Sequence, residues 1–500
     1  MRGHFVEQLA RHCAARPQAV ACADSTRQWC FAELRELADQ LSARLRAEGL
    51  RPCERLAVLT RSHLDALVAL LAAQQLGLIY MPLNWRLSVE EQAYVLGHGA
   101  PALVLADADL AQLYAESLRG IPCQVDVVRG LTPAVEGEVF EPSAQNHEDA
   151  ALLLYSSGTT GRPKGVLLSV PGLLSAIDTA TRASGFREEH SLINALPVFH
   201  IAGIISLLVP LMAGGRLEGM DSFEPSLFAA RVNERAISHT TLVPAMIQML
   251  LTAGVSMSAL QRVMYAGSPI AEPVLRAAMD SFGCEFIQIY GLTEAAGIAS
   301  VLAAVDHQHA GLLSSAGRAA DDAELMIVDP TSGAALAEGQ VGEIWVRSVR
   351  CMLGYWDDPQ ASAEAWGDGG WLRTGDCGHL RDGYLFITDR LKDQIVSGGE
   401  NVYPAEVERV LVQHPAVADC AVIGVPDSRW GETVKACVVL KPGSDASAAA
   451  LIDFCRGHLA HYKCPRSVDF HAELPRNASG KVLKRTLRAP YWKTQPRAVS

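Results

Sequence analysis

Apolar residues return at helical spacing from Phe31 to Leu45, and then the pattern changes. Arg55-Leu56-Ala57-Val58-Leu59 predicts a short buried strand, and Leu64 to Leu76 a helix stopped by Gly77. Ile79 to Leu83 returns to strand. Ser88 with Glu91 three places on fits a capping box, in which the serine caps the new helix and the glutamate reaches back to it. Ala102-Leu103-Val104-Leu105 closes another β–α–β unit, so this part of the chain has doubly wound α/β character. Met1 to Gln8 reads as the start of an amphipathic helix. Further on, Thr240 to Met246 predicts a strand ending at Pro244, and Ile287 to Tyr290 a strand that turns sharply at Gly291. From residue 392 the pattern becomes a small α+β unit: a helix over Ala405–Val412, strands over Asp419–Val425 and Val434–Leu440, and a helix over Ala448–Leu459.

Composition narrows the class. Five hundred residues exceed one compact core, so at least two domains are expected. Hydrophobic content of 49% with 20% charged residues describes a packed globular protein rather than a disordered one. A net charge of −12 argues against a nucleic-acid-binding surface. The N-terminus has no apolar signal core. The long uncharged run from Ile201 to Gly215 is too short to span a membrane and is interrupted by Gly203, Pro210 and Gly214-Gly215. Twelve cysteines occur without a Cys-x-x-Cys pair or metal-ligand spacing, which fits reduced, mostly buried thiols in a cytoplasmic protein.

Chemistry is concentrated in a few stretches. Tyr155-Ser156-Ser157-Gly158-Thr159-Thr160-Gly161-Arg162-Pro163-Lys164-Gly165 follows the apolar run Ala151-Leu152-Leu153-Leu154. Glycines let backbone N–H groups turn toward one point, and hydroxyls and a lysine add donors, which suits a triphosphate. The same composition also occurs in polar surface loops. A Walker A loop is excluded, because Lys164 follows Pro163 and precedes Gly165. Tyr290-Gly291-Leu292-Thr293-Glu294 sets a hydroxyl beside a carboxylate. Mg²⁺ keeps most of its waters and takes one or two protein carboxylates plus phosphate oxygens, a role Glu294 suits. Thr293 could donate to an α-phosphate, and the ring of Tyr290 could face an adenine. Asp376, in Trp371-Leu372-Arg373-Thr374-Gly375-Asp376, offers two acceptor oxygens. The charge run Asp389-Arg390-Leu391-Lys392-Asp393 is either a solvated turn or a domain linker. Lys481 lies in a basic stretch after Ser479-Gly480.

Taken in order, these stretches resemble the adenylate-forming superfamily of acyl-CoA synthetases, luciferases and peptide-synthetase adenylation domains. The resemblance covers essentially the whole chain. It implies a large N-terminal domain, residues 1–391, of doubly wound sheets with a β-barrel-like part, and a small mobile C-terminal domain, residues 392–500. It implies that Ser156, Ser157, Gly158, Thr159, Thr160, Gly161 and Lys164 bind ATP phosphates, with Gly267 and Tyr290 at the adenine. Asp376 is implied at the ribose hydroxyls and Arg390 at the ribose or phosphate. Lys481 becomes the lysine of the first half-reaction, Lys392 the hinge residue, and Glu294 the Mg²⁺ ligand beside Thr293. His200, Gly203, Ile204, Tyr265 and Gly291 are implied at the acyl pocket, and Gly398 and Gly399 along the channel for coenzyme A. The family's Gly-Gly-Ala-Pro-like adenine turn reads here as Ala266-Gly267-Ser268-Pro269, one glycine short.

The resulting expectation is an ATP-, Mg²⁺- and coenzyme-A-dependent ligase acting on a small carboxylic acid, as a monomer or homodimer. The stretch from His200 to Leu208 holds no Arg or Lys, which disfavours a dicarboxylate and leaves medium-chain fatty or aromatic monocarboxylates. An external acyl carrier protein is the alternative acceptor. A luciferase-like oxygenase has no residue in its favour, and a non-catalytic nucleotide-binding regulator would be marked by loss of Lys481 or Glu294, both of which are present.

Overall fold

The computed structural model describes residues 5–131, 150–156, 162–397, 400–427, 429–476 and 482–492. The early elements follow the hydrophobic pattern closely: a helix at Phe31–Ala47, a strand at Arg55–Leu59, a helix at His63–Leu76 and a strand at Ile79–Pro82. Gly77 ends its helix in the left-handed conformation at φ 67°, where a side chain would be strained. The capping box forms at Val89–Gly99, with the Ser88 hydroxyl accepting from the Glu91 N–H and the Glu91 carboxylate accepting from the Ser88 N–H at 2.8 Å.

Among the described residues, two large mixed sheets dominate. One has nine strands, and its central members, Val20–Ala23, Arg216–Gly219, Ser191–Asn194, His239–Leu242, Arg262–Tyr265 and Glu285–Tyr290, run parallel. The other has seven, with parallel strands at Arg55–Leu59, Ile79–Pro82, Leu103–Ala106, Cys123–Val125 and Ala150–Ser156. Helices between successive strands give the α/β layering that the pattern predicts. Where a β-barrel-like part is expected, strands from residues 323–390 form a five-stranded sheet in which, among the described residues, no first and last strands pair to close a barrel.

The strand expected over Thr240–Met246 is shorter: it spans His239–Leu242, and Pro244 opens a helix, Pro244–Ala253. Proline's missing N–H costs nothing at a first helical position, where the group has no intrahelical partner. Pro210 likewise lies inside a helix, Ile201–Ala213, rather than ending one.

By internal contacts the chain forms two compact units. The first comprises residues 1–267, 276–324 and 346–372, and the second 268–275, 325–345 and 373–500. In the second, Pro404–Leu411 and Ala448–Arg456 are helices, and Val417–Asp427 pairs antiparallel with Gly431–Leu440. Its core gathers Ile395, Val407, Leu411, Val422, Val434 and Leu451. The cysteines are all free of disulfides; Cys22, Cys351, Cys377, Cys420, Cys437, Cys455 and Cys464 are buried and Cys53 is exposed. Among the described residues no helix is long and apolar enough to cross a membrane.

Candidate active site

In open α/β sheets, ligands gather beyond the carboxyl ends of parallel strands. Ser156, Asn194, Tyr265 and Tyr290 each occupy that end of a parallel strand in the first unit. Ser156 also pairs with Lys164 in antiparallel register, so the proposed phosphate loop is the connection of a hairpin between Ala150–Ser156 and Lys164–Ser169. Ser157, Gly158, Thr159, Thr160 and Gly161 lie outside the described residues. Gly165 is needed for packing: a Cβ there would stand 2.9 Å from Leu153 and 3.2 Å from the Trp356 Cβ.

After Tyr290 the chain folds tightly back. A Cβ on Gly291 would meet the Gly297 carbonyl oxygen at 2.3 Å, and Gly297 itself has φ 81°. Within this loop Thr293–Ala295 forms one 3₁₀ turn that carries Glu294. Glu294 is held at two points. Its carbonyl accepts from the Met352 N–H at 2.7 Å, and its Oε1 accepts from the Tyr355 hydroxyl at 3.0 Å. Tyr355 is on the short strand Gly354–Tyr355, which pairs with the strand of Lys164, and the Lys164 ammonium lies 4.8 Å from the Tyr355 ring centroid. Burial first, and then the Glu294 charge, raise the Tyr355 pKa, so the hydroxyl stays protonated and donating. Sequence reasoning missed Tyr355. Its signal was only a Gly-Tyr-Trp run at 354–356, which resembles any strand end.

His200 is the N-cap residue of the apolar helix Ile201–Ala213. Its Nε2 is buried with no hydrogen-bond partner, and burial, reinforced by the Arg86 charge, lowers its pKa to about 4. The imidazole is therefore neutral at physiological pH. Arg86 reaches this neighbourhood from a distant part of the sequence and lies over Trp85 at 4.8 Å and Phe199 at 5.9 Å. Inspecting 200–208 alone could not find it. Gly203 packs against the preceding turn, where a Cβ would meet the Pro197 carbonyl oxygen at 2.1 Å, and Ile204 is fully buried. Tyr265 is also fully buried; its hydroxyl bonds Gln288 at 3.2 Å and His307 at 3.0 Å. Gly267, just beyond, has φ 91°.

In the second unit, Asp376 and Arg390 are cross-strand partners, with Nε and Oδ1 3.1 Å apart. The Asp376 N–H donates to the Thr374 hydroxyl at 3.0 Å, which fixes the turn at Gly375, φ 67°. Lys392 sits in a 3₁₀ turn, Leu391–Asp393, and burial lowers its pKa. Arg488 pairs with Asp393 at 2.9 Å and donates to the Lys392 carbonyl at 3.4 Å. Lys484 pairs with Glu408 at 2.8 Å; burial works against its charge but is outweighed by Glu408, Asp389 and Asp393, which raise its pKa. Gly398, Gly399 and Lys481 lie outside the described residues.

A carboxylate anchored beside a lysine-bearing hairpin at the ends of parallel strands is an arrangement of an α/β enzyme suited to a phosphate and its divalent cation. Comparison with known proteins agrees. Residues 9–356 match the AMP-binding enzyme family, and residues 406–481 the AMP-binding enzyme C-terminal domain. The chain is 34% identical to the fatty acid–[acyl-carrier-protein] ligase ScoC of Streptomyces coeruleorubidus, over 99% of this chain and 98% of that one. It is 35% identical to a feruloyl-CoA synthase of an Amycolatopsis species, over 96% and 97% respectively. Among solved structures, the o-succinylbenzoate CoA synthetase of Bacillus subtilis matches at 29% identity. Bound to its acyl-adenylate intermediate it gives a TM-score of 0.87, covering 96% of this chain and 97% of that one. The same enzyme with ATP and magnesium gives 0.86, covering 96% and 98%. The chain belongs to the AMP-binding enzyme family and is an AMP-forming acid–thiol ligase of the adenylate-forming superfamily.

Proposed function

We propose that this protein joins an apolar monocarboxylic acid to coenzyme A in two half-reactions. A carboxylate oxygen attacks the α-phosphorus of ATP, pyrophosphate leaves, and an acyl-adenylate forms. The coenzyme A sulfur then attacks the acyl carbon, forming the thioester bond as the bond to AMP breaks and AMP departs. The observation that carries this reading is the anchored Glu294 facing the Lys164 hairpin through Tyr355, in a chain of this family.

Both reactants of the first step are anions, so the protein's work is positioning and charge neutralisation. The hairpin loop and Lys164 would take the β- and γ-phosphates. One carboxylate with a neighbouring Thr293 hydroxyl suits Mg²⁺, a cation that keeps most of its waters; Glu294 would hold it, and it would supply charge neutralisation at the phosphates. Gly267 and Tyr290 would flank the adenine, Asp376 the ribose hydroxyls, and Arg390 would orient that carboxylate. Lys481 would bridge the acid and the α-phosphate as charge builds. The hinge at Lys392, dividing residues 1–391 from 392–500, would then withdraw Lys481 and open the thiol channel past Gly398 and Gly399.

His200, Gly203, Ile204, Tyr265 and Gly291 would line the acyl pocket. A neutral imidazole and an apolar helix favour medium-chain fatty or aromatic acids. The similarity to a ligase named for an acyl carrier protein favours one second reading, in which the acceptor is an external carrier thiol. The test is pyrophosphate release with ATP and Mg²⁺ over a panel of acids, with coenzyme A, holo-carrier protein or neither. Multiple turnovers with coenzyme A on apolar monoacids are expected. Turnover with carrier protein alone selects the second reading, and preference for a dicarboxylate would bring Arg86 into the pocket and overturn the substrate class.

A further inference from the structure

We infer that Tyr355 is a positioning residue that sets both charged groups of the phosphate site, fixing the Glu294 carboxylate toward a divalent cation with its hydroxyl and seating Lys164 with its ring. The inference rests on the reading of Glu294 as the Mg²⁺ residue and adds a residue to it.

Three observations carry it. The Tyr355 hydroxyl donates to Glu294 Oε1 at 3.0 Å, so one carboxylate oxygen is committed and the rotamer fixed, leaving Oε2 to face a cation or its waters. The opposite charge, the Lys164 ammonium, lies 4.8 Å from the centroid of the same ring, within range of an attractive cation–π contact. The tyrosine is itself immobilised. Its N–H donates to the Ser362 hydroxyl at 2.8 Å, its strand pairs Tyr355 with Val166, and the next N–H, of Trp356, donates to the Gly165 carbonyl at 2.7 Å. The Met352 N–H meanwhile holds the Glu294 backbone at 2.7 Å. Residues 352–356 thus bind the Glu294 turn and the Lys164 strand together, with Tyr355 in contact with both side chains. A direct ion pair between Lys164 and Glu294 would neutralise both groups. The interposed phenol instead gives each a partner that leaves its charge for a ligand.

Groups that orient a metal-binding carboxylate commonly change metal affinity by ten- to a hundredfold when removed. The experiment is a Mn²⁺ titration followed by electron paramagnetic resonance, using the full chain with α,β-methylene-ATP, for wild type, Tyr355→Phe, Tyr355→Leu and Glu294→Gln. Tyr355→Phe keeps the ring, so Mn²⁺ affinity should fall roughly tenfold while nucleotide binding in EDTA is unchanged. Excess Mg²⁺ should restore its pyrophosphate release, which a merely misfolded variant would not permit. Tyr355→Leu should add a weaker nucleotide affinity in EDTA, because Lys164 loses its seat. If Glu294→Gln weakens Mn²⁺ binding and Tyr355→Phe does not, the positioning role is wrong although Glu294 stands. If Glu294→Gln leaves Mn²⁺ binding intact, the reading of Glu294 fails and the inference with it.

Discussion

At His200, burial and the nearby Arg86 charge act in one direction, both favouring the neutral ring. The consequence for stability has a definite sign. An unfolded histidine takes up a proton near pH 6.5, whereas His200 in the folded chain does so only near 4. Acid therefore stabilises the unfolded chain first, and stability is lost as pH falls from 6.5 toward 4. The contribution of one such group is about 2 kcal/mol between pH 7 and pH 5. His239, also lowered to about 4 by burial, adds to the same window. Replacing His200 with Gln should remove its share, so that urea midpoints at pH 7 and pH 5 lie closer together than in wild type. An NMR titration that found the His200 ring protonating near 6.5 would refute the burial argument. The proposed site was partly legible in the sequence, because Glu294, Lys164 and Asp376 sit in short runs of unusual composition. Tyr355 and Arg86 were not. Each acts on a residue far along the chain, and only the pairing of strands 354–355 and 164–169, or the ring stack over Phe199, brings them there.

At the scale of elements, periodicity and capping chemistry located the helices and strands of residues 31–106 and the main ones of residues 404–456, since the interactions that set their ends are local. Ser88 and Glu91 are three residues apart and form the box they predict. Ser88→Ala should cost about 1 kcal/mol, measured as a lower urea midpoint at unchanged activity. Pro244 does end its strand, but it also opens the helix Pro244–Ala253, so the strand stops at Leu242 rather than reaching Met246. The helix Ile201–Ala213 makes a stronger demand. Pro210 removes one backbone hydrogen bond inside it, yet the helix persists because Ile204, Leu207, Leu208 and Leu211 are buried along it. Its first turn lies so close to the 196–197 turn that residue 203 can carry no side chain. Gly203→Ala should cost about 1–3 kcal/mol through overpacking against the Pro197 carbonyl. It should also displace His200, one turn earlier, and so change acid selectivity in the pyrophosphate-release panel. An alanine variant with wild-type stability and selectivity would show that the turn yields freely.

The whole molecule poses the question of how one chain performs two reactions with incompatible needs: charge must be gathered at the α-phosphate for adenylation, then cleared for a thiol. The proposed answer divides the labour between Lys481 and the turn at Lys392. The turn is held in place by its own unit. Arg488 grips its carbonyl and the Asp393 carboxylate, and Lys484, a few residues beyond Lys481, is locked by Glu408 at 2.8 Å. The segment beginning at Lys484 is thereby tied directly to the proposed hinge turn, within one compact unit. Lys481→Ala should then abolish adenylation, by at least a hundredfold, while largely sparing thioester formation from supplied acyl-adenylate. Lys392→Pro should do the reverse, because a fixed φ of about −65° restricts the backbone rotation that hinge motion requires. Rapid-quench assays of the two half-reactions, run separately on each variant, read this directly. Arg488→Ala supplies the third case: with the tie loosened but Lys481 present, both half-reactions should slow modestly, and the thioester step should not be selectively spared. Equal loss of both half-reactions in Lys481→Ala would mean that the lysine serves the fold rather than the adenylation step, and full turnover in Lys392→Pro would take the hinge out of the mechanism. The opposed pattern in the two variants is what separates a moving catalytic lysine from two residues that merely stabilise the same unit.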